Sequence, residues 1–214
     1  MNVGNCMAKN PITVAADVAI SDAQAVMRAK KIHRLPVTDA AGKLVGIVTA
    51  ADLNHASAPP ATSLDIYELH YLISKLKVES VMSKKLVTVT EDLPIEEAAR
   101  IMDDHRIAGL PVLRDGKLVG IITESDLFRL FIGMFGARQK GIRLSLLLPE
   151  KQGELAAVAG AVAKAGGNII SLVTFDGEDA TNHYCTLKVE GVSKEALIAA
   201  VAPLVQKVVD ARDA

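Results

Sequence analysis

Two short patterns in this chain carry the residue types and spacing for ligand chemistry. Gly46-Ile-Val-Thr49-Ala-Ala-Asp52 and Gly120-Ile-Ile-Thr123-Glu-Ser-Asp126 both read Gly-x-x-Thr-x-x-Asp. An ionised aspartate accepts both hydroxyls of a vicinal diol, and charge-assisted bonds of that kind are strong. A threonine beside a helix N-terminus sits where unpaired N–H groups favour an anion. The same spacing is also a capping box in which aspartate replaces glutamate at the third helical position. A capped helix start can still face a ligand, so the two roles are compatible.

Nothing else in the sequence has the spacing of a catalytic or metal centre. The histidines His33, His55, His70, His105 and His183 are scattered, and no His-x-x-x-His or Cys-x-x-Cys pair occurs. His183 and Cys185 share one face of an expected strand, but two ligands do not make a zinc site. No phosphate-binding glycine loop with Lys-Ser/Thr, dinucleotide fingerprint or nucleophile elbow is present. The pairs Glu96-Glu97 and Asp103-Asp104 fall on expected helix surfaces, where solvated charge is the default. We therefore expect no enzyme activity, no metal and no cofactor.

Composition narrows the classes further. Of 214 residues half are hydrophobic, aromatics are 3%, Trp is absent and the net charge is −1, so the cores are aliphatic and no cationic excess marks a nucleic-acid partner. No stretch approaches the roughly 18 apolar residues of a membrane span, and no basic start with an apolar run marks a signal peptide. Two distant cysteines, Cys6 and Cys185, fit a reducing cytoplasm without a structural disulfide. The expectation is a cytoplasmic protein with neither nucleic acid nor membrane among its partners.

The elements that must position the two patterns come from an internal repeat. A shift of 75 residues aligns Met7 with Met82, Thr13-Val14 with Thr88-Val89, Met27 with Met102, and Leu35-Pro36-Val37 with Leu110-Pro111-Val112. The second copy loses one residue in a turn, after which Gly42-Lys-Leu-Val-Gly-Ile47 matches Gly116-Lys-Leu-Val-Gly-Ile121. Each copy reads as a short strand, a helix, a two-stranded hairpin with a Gly-containing turn, and a second helix. The first helix spans about 20–31, with Ser21 and Gln24 as its expected capping box. Pro94 and Glu96-Glu97 open its counterpart. Strands are expected at 34–38, 43–48, 109–113 and 117–122. One copy has too few apolar faces to bury alone; two can pack about a pseudo-twofold axis and leave paired clefts between them. Residues 55–63 read as a loop and 64–76 as an amphipathic helix. The apolar run 127–135 suggests a covered face or a subunit contact.

On the Val-x3-Met starts, the Leu-Pro-Val strands and the endings GIVTAAD and GIITESD, residues 3–132 resemble a tandem pair of CBS domains, a Bateman module. That resemblance implies adenine-nucleotide binding. Asp52 and Asp126 would hold ribose hydroxyls, and Thr49 and Thr123 phosphate or ribose. Thr13, Thr88, His33 and Ala108, with Pro36 and Pro111 of the Leu-Pro-Val strands, would line the adenine pocket. Where phosphate would sit the copies differ: His33-Arg34 in the first, Ala108-Gly109 in the second with Arg106 further back. Arg34 either pairs with phosphate or is a solvated surface arginine.

The remainder reads differently. Strands near 143–148, 168–175, 183–189 and 205–209 alternate with helices near 155–165 and 195–201, the second capped by Ser193, in the order βαββαβ. Pro149-x3-Gly153-x-Leu155 and Gly167-Asn168-Ile169 resemble an ACT domain, a regulatory module whose relatives hold amino acids near the residues matching Gly153 and Asn168. Gln152 stands where proline is common in that family. The plainer readings are a helix-start turn for Gly153 and a strand-start residue for Asn168.

The expected architecture is thus α+β: CBS repeats at 1–57 and 78–135, a helical linker at 58–77, a short linker at 136–141 and a ferredoxin-like ACT domain at 142–214. This order is similar to that of the acetoin-utilisation accessory proteins. It implies a non-catalytic, homodimeric regulator, sensing energy status through AMP, ADP or ATP and passing this to the ACT unit or to an unknown regulated protein. An amino-acid-responsive ACT regulator, a ligand-free adaptor and a weak nucleotide-acting enzyme are the alternatives.

Overall fold

The structure is a computed structural model that describes residues 1–57 and 75–214. Of the loop expected at 55–63, residues 55–57 instead finish the helix Ala50–Ser57, and the rest lies outside the described residues, as does most of the helix expected at 64–76. The chain divides into two compact units, Met1–Leu127 and Phe128–Ala214.

In the first unit the elements follow the repeat. The first copy has helix α1 (Val3–Cys6), strands β1 (Ala8–Lys9) and β2 (Val14–Ala15), helix α2 (Ile20–Lys30), the hairpin β3 (Arg34–Thr38) and β4 (Leu44–Thr49), and helix α3 (Ala50–Ser57). The second has β5 (Val89–Thr90), α4 (Ile95–His105), the hairpin β6 (Gly109–Arg114) and β7 (Lys117–Thr123), and α5 (Glu124–Met134), which continues into the second unit. β2 runs parallel to β3, as β5 does to β6, and each hairpin is antiparallel. The missing residue of the second copy is a difference of turn. Asp115 and Gly116 both take positive φ, 50° and 74°, the two-residue arrangement that suits the twist of a tight hairpin. In the first copy Asp39 Oδ1 instead accepts from the backbone of Ala41 and Lys43.

The copies exchange their leading segments. β1 of the first pairs with β7 of the second, Ala8 opposite Ile121, and Ser83 bridges back to Ile47 of the first. Val3 N and Gly4 N donate to Leu93 O and Glu91 O; reciprocally, Val78 N and Glu79 N donate to Val18 O and Ala16 O. This exchange corrects the expected capping box. Ser21 lies inside α2, whose N-cap is Ala19 with no side-chain cap. The first helical N–H groups are satisfied from outside their own repeats, Ile20 N by Leu76 O just ahead of the second copy and Ile95 N by Met1 O of the first, both at 3.0 Å. Gln24 donates instead to Asn54 Oδ1. Both long helices end on a basic residue in left-handed conformation, Lys31 and Arg106. The first core gathers Val14, Ile20, Ala23, Met27, Leu35, Val37, Val48 and Leu53, joined by Val78 from the other copy.

The second unit contains β8 (Ile142–Pro149), α6 (Glu154–Lys164), β9 (Asn168–Asp176), β10 (Asn182–Glu190), α7 (Lys194–Val201) and β11 (Lys207–Asp213). They form one antiparallel sheet in the order β11-β8-β10-β9, the βαββαβ arrangement read from the sequence. Ile142, Leu144, Leu146, Leu148, Cys185, Leu187 and Val189 meet Val158, Val162, Leu197 and Val201 of the two helices. On the opposite face, Ser145 and Thr186 bond at 3.0 Å, and Phe135 stacks on Phe175 with ring centroids 5.9 Å apart. Ser193 caps α7 as expected.

Candidate functional site

The hairpin of each repeat delivers its Thr-x-x-Asp to the start of a helix, and here the capping geometry is present in both copies. Asp52 Oδ2 accepts from Thr49 N (2.8 Å) and Thr49 Oγ1 (2.7 Å), while Asp52 N donates back to Thr49 Oγ1 at 3.2 Å. Asp126 Oδ2 accepts likewise from Thr123 N (2.9 Å) and Oγ1 (2.7 Å). The cap uses one carboxylate oxygen. Asp52 Oδ1 takes no hydrogen bond among the described residues.

Asp52 and Thr49 also wall a cleft of about 250 Å³. Its opposite walls come from the second repeat: Ser83 and Lys85–Val87 from the exchanged segment, and Arg106, Ile107, Ala108, Gly109 and Pro111 from the end of α4 and the start of β6. Arg34, Lys85 and Arg106 line it as cations, and among the described residues Asp52 is its only acid. The cleft therefore offers a diol acceptor at one side and positive charge for an anion.

Of the residues singled out in the sequence, Arg34, Thr49, Asp52, Ala108 and Pro111 meet in this cleft. Thr88 is exposed one residue beyond its wall and Thr13 is exposed at the start of β2. Pro36 is buried in β3. His33 lines a separate groove with Gln24, Met27, Arg28, Lys31 and Asn54. Thr123 and Asp126 form the corresponding box of the second copy, with Asp126 buried. Lys85 carried no motif, and only its delivery by strand exchange explains its presence.

Arg34 is half-buried, and its Nη1 donates to Ala108 O. Burial pushes its guanidinium below the ordinary arginine value, while the carboxylates of Glu124 and Asp126 act in the opposite direction.

In the second unit, Gly153 is the N-cap of α6 at φ 91°, with open space where a Cβ would stand. Asn168 is exposed and donates from Nδ2 to Glu190 Oε1 at 2.9 Å. His183 Nδ1 lies 2.9 Å from Glu150 Oε2. Cys185 is buried, and burial pushes its thiol up to about 11. Among the described residues, no three His, Cys, Asp or Glu side chains are placed to hold a metal ion, and no helix is long and apolar enough to cross a membrane.

Comparison with known proteins matches the two repeats of the first unit. The family model for the CBS domain matches residues 3–59 and 78–133. A CBS domain-containing protein of Dictyostelium discoideum is 37% identical over 131 residues, 61% of this chain and 90% of that protein. The L-aspartate semialdehyde sulfurtransferase of Methanocaldococcus jannaschii is 33% identical, but the match spans only 23% of that enzyme and 61% of this chain. Among solved structures, the CBS domain pair of protein MJ0100, in complex with 5′-methylthioadenosine and S-adenosyl-L-methionine, aligns with TM-score 0.52 at 31% identity, covering 65% of this chain and 98% of that one. CBSX2 in complex with AMP aligns with TM-score 0.50 at 31% identity, covering 61% and 96%. With both repeats matched and the exchanged leading segments in place, the chain belongs to the CBS domain family and carries a tandem pair of these domains.

Proposed function

We propose that the CBS pair binds adenine nucleotides of the AMP, ADP and ATP class and acts as a non-catalytic regulator. The observation that carries this reading is the cleft in which Asp52 faces Arg34, Lys85 and Arg106. A carboxylate oxygen left over from the cap suits a ribose diol, and three cations suit the phosphate. The volume of about 250 Å³ lies just below the usual range of small-molecule sites, roughly 300–1,000 Å³. Relatives of comparable similarity are seen with AMP and with adenosine-derived ligands, which supports the ligand class. Asp126 and Thr123 are assigned to a corresponding site of the second repeat, with Thr13, His33 and Pro36 of the first repeat and Thr88 of the second as accessory contacts.

The βαββαβ unit is read as an ACT-like module that receives the signal, in a cytoplasmic homodimer whose contact includes the apolar end of α5. A ligand moves such an equilibrium only by its differential affinity for the two arrangements. Isothermal titration of the full chain with AMP, ADP and ATP tests the reading. Binding that is lost in D52A/D126A, with the fold intact by circular dichroism, supports it; undiminished binding in that variant removes it.

A further inference from the structure

Position 34 and its counterpart in the repeat, 75 residues on, are Arg34 and Gly109. The structure brings these two positions face to face. A Cβ on Gly109 would lie 2.7 Å from Arg34 Nη1 and 2.9 Å from its Cδ, so one long side chain fits there. The pair thus shares one guanidinium where a symmetric repeat would supply two.

That guanidinium lies between the Asp52 cleft and the start of α5, the helix that carries Asp126. It lines the cleft of Thr49 and Asp52. Its Nη1 donates to Ala108 O, a carbonyl that also accepts from Glu124 N, the first residue of α5, at 3.3 Å. The carboxylates of Glu124 and of Asp126, the diol acceptor of the second site, act on its charge. Asp52 has no such cation from the second repeat at the matching position, because Gly109 stands there.

We propose that Arg34 couples the two clefts negatively: a phosphate-bearing nucleotide in either one draws the same guanidinium, and the second nucleotide binds without it. This rests on the nucleotide reading above and adds its regulation. A phosphate in the Asp52 cleft pulls Arg34 off Ala108 O and away from Asp126. The second cleft then presents its carboxylates with less compensation, which disfavours another anion. A nucleoside without phosphate makes no claim on the guanidinium, so adenosine should bind the two clefts without this coupling.

The test is calorimetric titration of the full chain, wild type, R34Q and R34K, with AMP and with adenosine. The wild type is expected to take AMP in two steps whose Kd values differ tenfold or more. R34Q should narrow that gap to threefold or less, chiefly by weakening the first step. R34K keeps a charge but loses the planar fork, and should fall between them. The spacing of the adenosine steps should be the same in all three proteins. A gap for AMP that survives R34Q, equal AMP steps in the wild type, or an adenosine gap that narrows with R34Q as the AMP gap does overturns the proposal. Undiminished AMP binding to D52A/D126A strikes the site assignment instead, so the two failures are distinguishable.

Discussion

Met82 rests its sulfur on Gly46, in the place a Cβ would occupy, and Met7 does the same to Gly120. Each methionine opens one repeat, and each glycine is the first residue of the other repeat's Gly-x-x-Thr-x-x-Asp. The glycines are therefore required by packing between the copies. Gly46→Ala should cost about 1–3 kcal/mol, the usual range for overpacking a filled site. In urea unfolding, the loss in G46A/M82A should be smaller than the sum of the single losses, because shortening the methionine makes room for the new methyl. Strict additivity would show that the two side chains do not compete for this space.

The aspartate boxes have a structural share that can be separated from the ligand share. Asp52→Ala should destabilise the protein by about 1 kcal/mol through loss of the cap, as at other helix N-termini. It should weaken AMP binding at its cleft by tenfold or more. Thr49→Ser keeps the hydroxyl and should leave both properties within twofold. Thermal unfolding and calorimetry on the same samples make the comparison.

Cys185 gives a pH signature. Its thiol is pushed up to about 11 from an ordinary value near 9, through burial. The unfolded chain releases this proton first, so stability from this group falls as pH rises from about 9 to about 11 and then levels off. Cys185→Ala should flatten the dependence in denaturant titrations across that window, although the smaller side chain lowers stability at every pH. Iodoacetamide at pH 8 should modify Cys6, which is partly exposed, well before Cys185 in the native protein.

Phe128, Phe131 and Met134 expose 68%, 56% and 51% of their surface on α5, while Phe135, one turn beyond Phe131, is held by Phe175. If this apolar stripe contributes to the proposed homodimer, F128S/F131S should shift sedimentation toward the monomer at micromolar concentration. Phe135→Ser should instead lower the melting temperature, because it removes the stacked ring from the sheet. A sedimentation profile identical to wild type for F128S/F131S would remove α5 from the contact.

The repeat, the hairpins and the Thr-x-x-Asp boxes were legible in the chain because they are local. Hydrophobic period, turn glycines and a three-residue spacing lie within a few residues of one another, and the two copies repeat the message. The βαββαβ order of the second unit was legible for the same reason, down to Ser193 as the cap of α7. The expected Ser21–Gln24 box was misplaced because the start of α2 is satisfied by Leu76 O, just ahead of the second copy. No local pattern encodes that partner.

What the sequence determined by itself is that two similar units each present a carboxylate at a helix start. Only the tertiary structure decided that Asp52 faces Lys85 and Arg106 of the other repeat, and that Arg34 crosses to Ala108 and the Asp126 side. The reason is physical. Backbone hydrogen bonding pairs β1 with β7 and Ser83 with Ile47, and this exchange carries side chains distant in the sequence into one cleft. Helix starts follow from neighbours along the chain, whereas the charge around them follows from which strand edges pair.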